Sequence, residues 1–233
     1  MFPGNTFESK TLESALEKLE KRFGLRQVII VADRGINSKL NVKKIHDRGY
    51  RYIVATRIRK MNKQLTEALL DFSGHTEISN GEDEPLFFKV KEHLREIKDD
   101  GQTCRIPERL VFTYSAKRAK KDREDRRRLV EKAHLLLQSP SKNKASAKKG
   151  GRKYLKELGT GSVFALNGTS IAQDERFDGY YGLQTNDQNL DPKAVLEAYH
   201  TLWKIEESFR LMKSTWKSGR RFTRPSPASR AIS

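Results

Sequence analysis

The stretch VIIVADRG, residues 28–35, decides how the rest of the chain is read. Val28 to Ala32 form a continuous apolar, β-branched run, too short for a helix and without polar alternation, the pattern of a strand buried on both faces. The run stops at Asp33-Arg34-Gly35, a turn sequence. Asp33 is therefore expected at the carboxyl end of a central strand, the edge of an open α/β sheet where ligands bind. Upstream, Leu12, Ala15, Leu16, Leu19 and Phe23 recur at helical spacing and Gly24 follows them. Downstream, Ser38 is a candidate N-cap for a helix to about Asp47, closed by Gly49. YRYIVATR, residues 50–57, reads as a second strand. The order helix, strand, helix, strand predicts an α/β sheet with helices on its faces.

After about residue 58 the texture changes. Residues 73–84 read as a loop. PLFFKV (85–90) and RIPERLVFTY (105–114) read as strands, and residues 115–137 as a highly charged helix. Residues 139–153 hold six basic residues and no acid, a composition for a loop that touches a polyanion. VFALN (163–167) and FDGYYGLQTN (177–186) read as further strands. The clearest helix is PKAVLEAYHTLWKIEESFRLMKS, residues 192–214, with Asp191 as N-cap and Pro192 at its first position. Trp203 is expected in its core-facing stripe.

Composition narrows the function. The 233 residues carry 47 Lys+Arg against 30 Asp+Glu, a formal net charge of +17. A chain this basic most often meets nucleic acid. The single cysteine, Cys104, excludes an intrachain disulfide and a thiolate metal cluster and fits a reducing, cytoplasmic compartment. No run approaches the roughly 18 apolar residues of a membrane span, and the opening MFPGNTFESK lacks the form of a secretory signal. No membrane partner is expected.

Two acids stand out together. Alone, Asp33 reads as a turn residue and Glu206 as an ordinary mid-helix acid. Tyr199, Glu206 and Lys213, however, are spaced by seven, within about 20° of two full turns, so they share one stripe, roughly 10 Å apart. A carboxylate flanked by a phenol and an ammonium suits a hard divalent cation beside phosphates. Arg34, beside Asp33, could also reach phosphate.

YHTLWKIEESFRLMKS resembles the signature helix of insertion-sequence-four type DDE transposases. Tyr199, Leu202, Glu206 and Lys213 stand where that signature has Tyr, Arg, Glu and Lys, and Leu202 is a departure that some branches share. The segment from Val28 to Arg57, MFPGNTFESKTL, VFTYSAKRAKKDREDR and DGYYGLQTN resemble other parts of the same group, so the likeness spans roughly residues 2–216. It implies a ribonuclease H-like α/β core interrupted by a mostly β insertion with a charged helix. The corresponding division is 1–57 partial core, 58–190 insertion, 191–214 catalytic helix and 215–233 a basic tail without fixed structure. It implies metal-dependent DNA strand cleavage and transfer, with Asp33 and Glu206 as catalytic metal ligands for Mg²⁺ or Mn²⁺. One ion would activate the nucleophile and the other stabilise the leaving oxygen. Tyr199, Lys213, Arg210, Arg34, Lys148 and Lys149 become the expected DNA contacts. Transposon ends and target DNA would be the partners, and a homodimer is allowed.

The family's first triad Asp has no counterpart here: no Asp precedes Asp33, and Glu8, Glu13, Glu17 and Glu20 read as loop or surface positions. The core is therefore expected to be incomplete and the chain truncated at both ends. This keeps a second reading open, an inactive remnant that only binds DNA nonspecifically. An unrelated nucleic-acid-binding module is a third.

Overall fold

The computed structural model describes residues 8–24, 28–78, 84–138, 150–158 and 163–219. Among these, the chain is a mixed α/β structure built on a six-stranded sheet in the order β1-β2-β8-β5-β4-β3. Its strands are β1 (Ile29–Ala32), β2 (Arg51–Ala55), β3 (Thr76–Ile78), β4 (Leu86–Asp99), β5 (Gln102–Ser115) and β8 (Tyr180–Thr185). β1 and β2 run parallel, and every other pairing is antiparallel. A separate two-stranded ribbon joins β6 (Leu155–Leu158) to β7 (Val163–Leu166). The helices are α1 (Glu8–Phe23), α2 (Lys39–Asp47), α3 (Lys63–Leu70), α4 (Ala116–Leu137), α5 (Gly168–Glu175) and α6 (Pro192–Gly219).

Local chemistry places these elements. The Ser38 hydroxyl accepts from the Asn41 amide and caps α2. Gly49 closes the turn at φ 73°, a left-handed conformation that glycine adopts without a Cβ penalty. Ser115 caps α4 by accepting from the Arg118 amide. Asp99-Asp100-Gly101 turns β4 into β5, with Asp100 and Gly101 both at positive φ, the backbone of a tight hairpin turn. β4 and β5 therefore pair over fourteen positions, from Leu86↔Ser115 to Asp99↔Gln102. Their ladder is longer than the two short strands expected at 85–90 and 105–114.

The sheet is covered on both faces. On one, α1 and α2 place Leu12, Leu16, Val42 and Ile45 against Tyr52, Val54, Ile97 and Ile106. On the same side of β5, α3 and the 3-10 turn Ile58–Lys60 cover Leu110 and Phe112. On the other face, the first half of α6 sets Val195, Leu196, Ala198 and Tyr199 against Ile53, Ala55, Val111, Leu183 and Tyr181. β2 serves both cores by strand alternation.

Three of the four strands expected after residue 58 join this sheet, and the fourth, β7, lies in the ribbon. β8 pairs with β2 on one side and with β5 on the other, so β3, β4 and β5 continue the sheet begun by β1 and β2. Four strands and α-helices have no counterpart in the sequence reading: α3, β3, β6 and α5, the last capped by Asn167. α6 extends to Gly219, five residues past the expected end at 214.

Candidate active site at the carboxyl edge of the sheet

Strand direction gathers the candidate residues at one edge. β1 and β2 are parallel, so Asp33 and the segment from Thr56 leave the sheet at the same end. β8 is antiparallel to β2, which brings its first residues, Tyr180 and Tyr181, to that end. β5 is antiparallel to β8, so its last residues and the start of α4 arrive there too. α6 runs back along the sheet towards this edge and carries Tyr199 and then Glu206.

Asp33 is exposed on the turn after β1, where its Oδ1 accepts from the Gly35 amide at 2.6 Å. Its second oxygen takes no hydrogen bond among the described residues. Arg34 is exposed beside it, and its carbonyl accepts from Arg57 Nη2 at 3.5 Å. Glu206 is exposed on α6. Tyr199, on the same helix, is partly buried against the sheet, and its hydroxyl accepts from the Tyr181 hydroxyl at 2.6 Å. Arg118, from the first turn of α4, stands 4.5 Å over the Tyr181 ring.

The electrostatics tie these groups together. Burial pushes the Tyr199 phenol above its ordinary value, opposed by the Tyr181 hydrogen bond. The charges of both Asp33 and Glu206 push it further up, against Arg34. Tyr181 is raised chiefly by burial and then by its bond to Tyr199. Two carboxylates from opposite ends of the chain thus act on one phenol. Because Tyr181 donates to it, Tyr199 keeps its own proton to donate.

The loop that carries Asp33 is fixed by polar groups that the sequence reading did not single out. Asn37, buried, donates to the Ala55 carbonyl at 2.9 Å and to Gln184 Oε1 at 3.2 Å. Its own Oδ1 accepts from both terminal nitrogens of Arg95 at 3.1 Å. Glu108, only 2% exposed, accepts from Tyr52 Oη, from Gln184 Nε2 at 3.0 Å and from Arg95 Nη1 at 3.3 Å. A buried carboxylate needs such partners, because an unpaired one is costly in a low-dielectric interior. One signal was available: Ile106, Glu108 and Leu110 alternate onto one face of β5, so an acid interrupts an apolar stripe. Asn37, Tyr181 and Arg118 gave none, since their roles depend on partners far along the chain.

The remaining expected site residues are placed as follows. Arg210 and Lys213 lie on α6, with side chains outside the described residues, and Lys148 and Lys149 lie outside them altogether. Trp203 corrects an expectation: it is 50% exposed and stacks on His200 at 5.9 Å rather than packing in the core. The reason is that α6 packs through Val195–Tyr199, while Trp203, Lys204, Ile205 and Glu206 are all exposed.

Carboxylates are the oxygen donors that hard divalent cations take, and Asp33 and Glu206 supply two. Among the described residues, however, no group of three or more His, Cys, Asp or Glu side chains is placed to hold a metal ion. The described donors alone do not fit a complete three-carboxylate site.

The described structure is thus a mixed α/β domain with an exposed acid, Asp33, at the end of its first strand and another, Glu206, on its last helix. The chain belongs to the family described as Transposase DDE domain, whose model matches residues 1–231. That family performs phosphoryl transfer on DNA in transposition, and its members generally use divalent metal ions. A search of curated proteins found no match. Among the described residues, no helix is long and apolar enough to cross a membrane.

Proposed function

We propose that this protein is an insertion-sequence-four type transposase that cleaves and transfers DNA strands at transposon ends. Asp33 and Glu206 are two members of its acidic metal-ligand set, and Mg²⁺ or Mn²⁺ is the cation. On this reading, residues 1–57 and the helix from 191 to 214 form the ribonuclease H-like core. Residues 58–190 are the insertion, and 215–233 a basic tail. Tyr199 holds a phosphate oxygen through its retained proton, and Lys213, Arg210, Arg34, Lys148 and Lys149 are further contacts to DNA. The protein works in the cytoplasm, with homodimerisation as the arrangement that would bring two DNA ends together. The observation that supports this reading most is the joint action of Asp33 and Glu206 on the Tyr199 phenol.

The third carboxylate is the open position. The lack of a three-ligand group among the described residues favours a second reading, a protein that binds DNA nonspecifically without cutting it. A supercoiled plasmid carrying the DNA that flanks the gene separates the two. The first reading expects nicking that requires Mg²⁺ or Mn²⁺ and is lost in Asp33→Asn and in Glu206→Gln, with DNA binding retained. Nicking that survives both substitutions overturns the site. Salt-sensitive binding with no nicking by the unsubstituted protein selects the second reading.

A further inference from the structure

Beside Asp33, a cleft of about 570 Å³ opens between the turn after β1, the segment after β2 and the start of α4. Five cations line it, Arg34, Arg57, Arg59, Lys60 and Arg118, against one acid, Asp122. Arg59 is paired with Asp174 at 3.2 Å, and Arg118 approaches Asp122 at 3.6 Å. Arg34, Arg57 and Lys60 have no acid within ion-pair distance among the described residues. Phe177, Tyr180 and Tyr181 also line the cleft.

We propose that this cleft takes the phosphodiester backbone of DNA and leads it to the Asp33–Tyr199–Glu206 edge, with Arg57, Lys60 and Arg118 as the phosphate contacts. The proposal rests on the transposase reading and adds a binding track to it. Guanidinium forks match phosphate oxygens in two-point hydrogen bonds, and an ammonium adds a point charge. Aromatic rings on the same wall suit the sugar and base faces that accompany phosphates and are not required by a small inorganic anion. Continuity is structural: Tyr181 is at once part of the cleft wall, the ring beneath Arg118 and the hydrogen-bond donor to Tyr199. A strand held in the cleft therefore passes the Tyr199 phenol.

The test measures binding of a duplex DNA fragment by fluorescence anisotropy over a series of salt concentrations, without divalent metal. Arg57→Gln/Lys60→Gln is compared with Arg127→Gln/Arg128→Gln, a pair that removes the same charge from α4 residues already bonded to Glu124. The cleft pair is expected to weaken binding on the order of tenfold near 0.1 M salt. It should also lower the slope of log K against log salt by roughly 0.9 for each phosphate that is no longer neutralised. Arg118→Gln should lower the slope similarly, and thermal melting checks that each variant folds. An unchanged slope, or an equal weakening in the Arg127/Arg128 control, overturns the cleft. Displacement of DNA by inorganic tripolyphosphate at equal phosphate concentration overturns the backbone assignment in favour of a small-polyanion site. Tighter binding of duplex RNA of the same length overturns the choice of DNA. Nicking does not enter this binding test, so the track and the catalytic reading fail separately.

Discussion

Tyr199 and Tyr181 show what single residues contribute. The Tyr199 phenol is raised by burial and by the charges of Asp33 and Glu206, so it stays protonated beyond the ordinary tyrosine value of about 10. Removing either charge makes its ionisation easier. We expect Asp33→Asn and Glu206→Gln each to move one tyrosine titration down the pH scale, read by ultraviolet difference absorbance against a Tyr199→Phe reference. An unmoved titration in both variants would contradict the shared electrostatics without any appeal to activity. His75 offers a second titration. It stacks on Phe72 at 4.8 Å, its Nδ1 lies 3.1 Å from the Phe72 carbonyl, and its buried Nε2 has no partner among the described residues. Burial lowers its pKa, with Lys89 adding to the effect and the Phe72 carbonyl and Asp71 opposing it. A depressed folded-state value means that the stabilising contribution is present above the ordinary value near 6.5 and is lost as pH falls through the folded-state value. Melting temperature is therefore expected to drop as pH falls below the ordinary histidine value near 6.5, with the drop smaller in His75→Asn.

At the scale of elements, close approach limits what the site can tolerate. A Cβ added at Gly182 in β8 would sit 2.5 Å from Thr56 Cγ2 and 2.8 Å from Ile58 Cγ2. These atoms belong to the segment that leads into Arg57, Arg59 and Lys60. We expect Gly182→Ala to destabilise by about 1–3 kcal/mol through overpacking, seen as a lower midpoint in urea. Ser115→Ala, which removes the α4 cap, should cost about 0.5–2 kcal/mol. The same elements show what was legible in the sequence. β1 and α2 were readable as elements because an apolar run and a capping residue mark them locally, but β1 lies at the edge of the described sheet and is only partly buried, a correction to the central strand expected, because an apolar run marks a strand without fixing its place in the sheet. Residues 91–99 of β4 were missed because His93, Arg95 and Glu96 break the apolar pattern, and Arg95 belongs there only as the partner of Asn37 and Glu108. Trp203 was misplaced because helical periodicity identifies a stripe but not where the sheet beneath it ends.

For the whole molecule, the informative feature is that one sheet runs from the strand bearing Asp33 to the hairpin of β4 and β5. Nothing local in the sequence reveals that Tyr180–Thr185 pairs with Arg109–Tyr114 and, through Leu183–Thr185, with Ile53–Ala55. The acidic pair was proposed from the spacing of Tyr199, Glu206 and Lys213 and from resemblance. The basic cleft was not, because its cations come from three separate segments. One consequence of a continuous sheet is cooperative unfolding. Changes in the Glu108 network should lower the same single transition as changes in β1, so Glu108→Ala and Val31→Ala are expected to shift one melting curve rather than produce two. Two transitions would contradict it.

Helix α6 behaves as a cantilever. Its root is clamped by Val195, Leu196, Ala198 and Tyr199, while its arm from Trp203 to Glu206 stands in solvent. Glu206 sits seven residues beyond Tyr199, about 10 Å along the axis, so small bends at the clamp are magnified in the position of its carboxylate. The backbone amides of residues 203–208 should then exchange with solvent faster than those of 195–199. On the proposed reading, bound DNA should slow the outer set most.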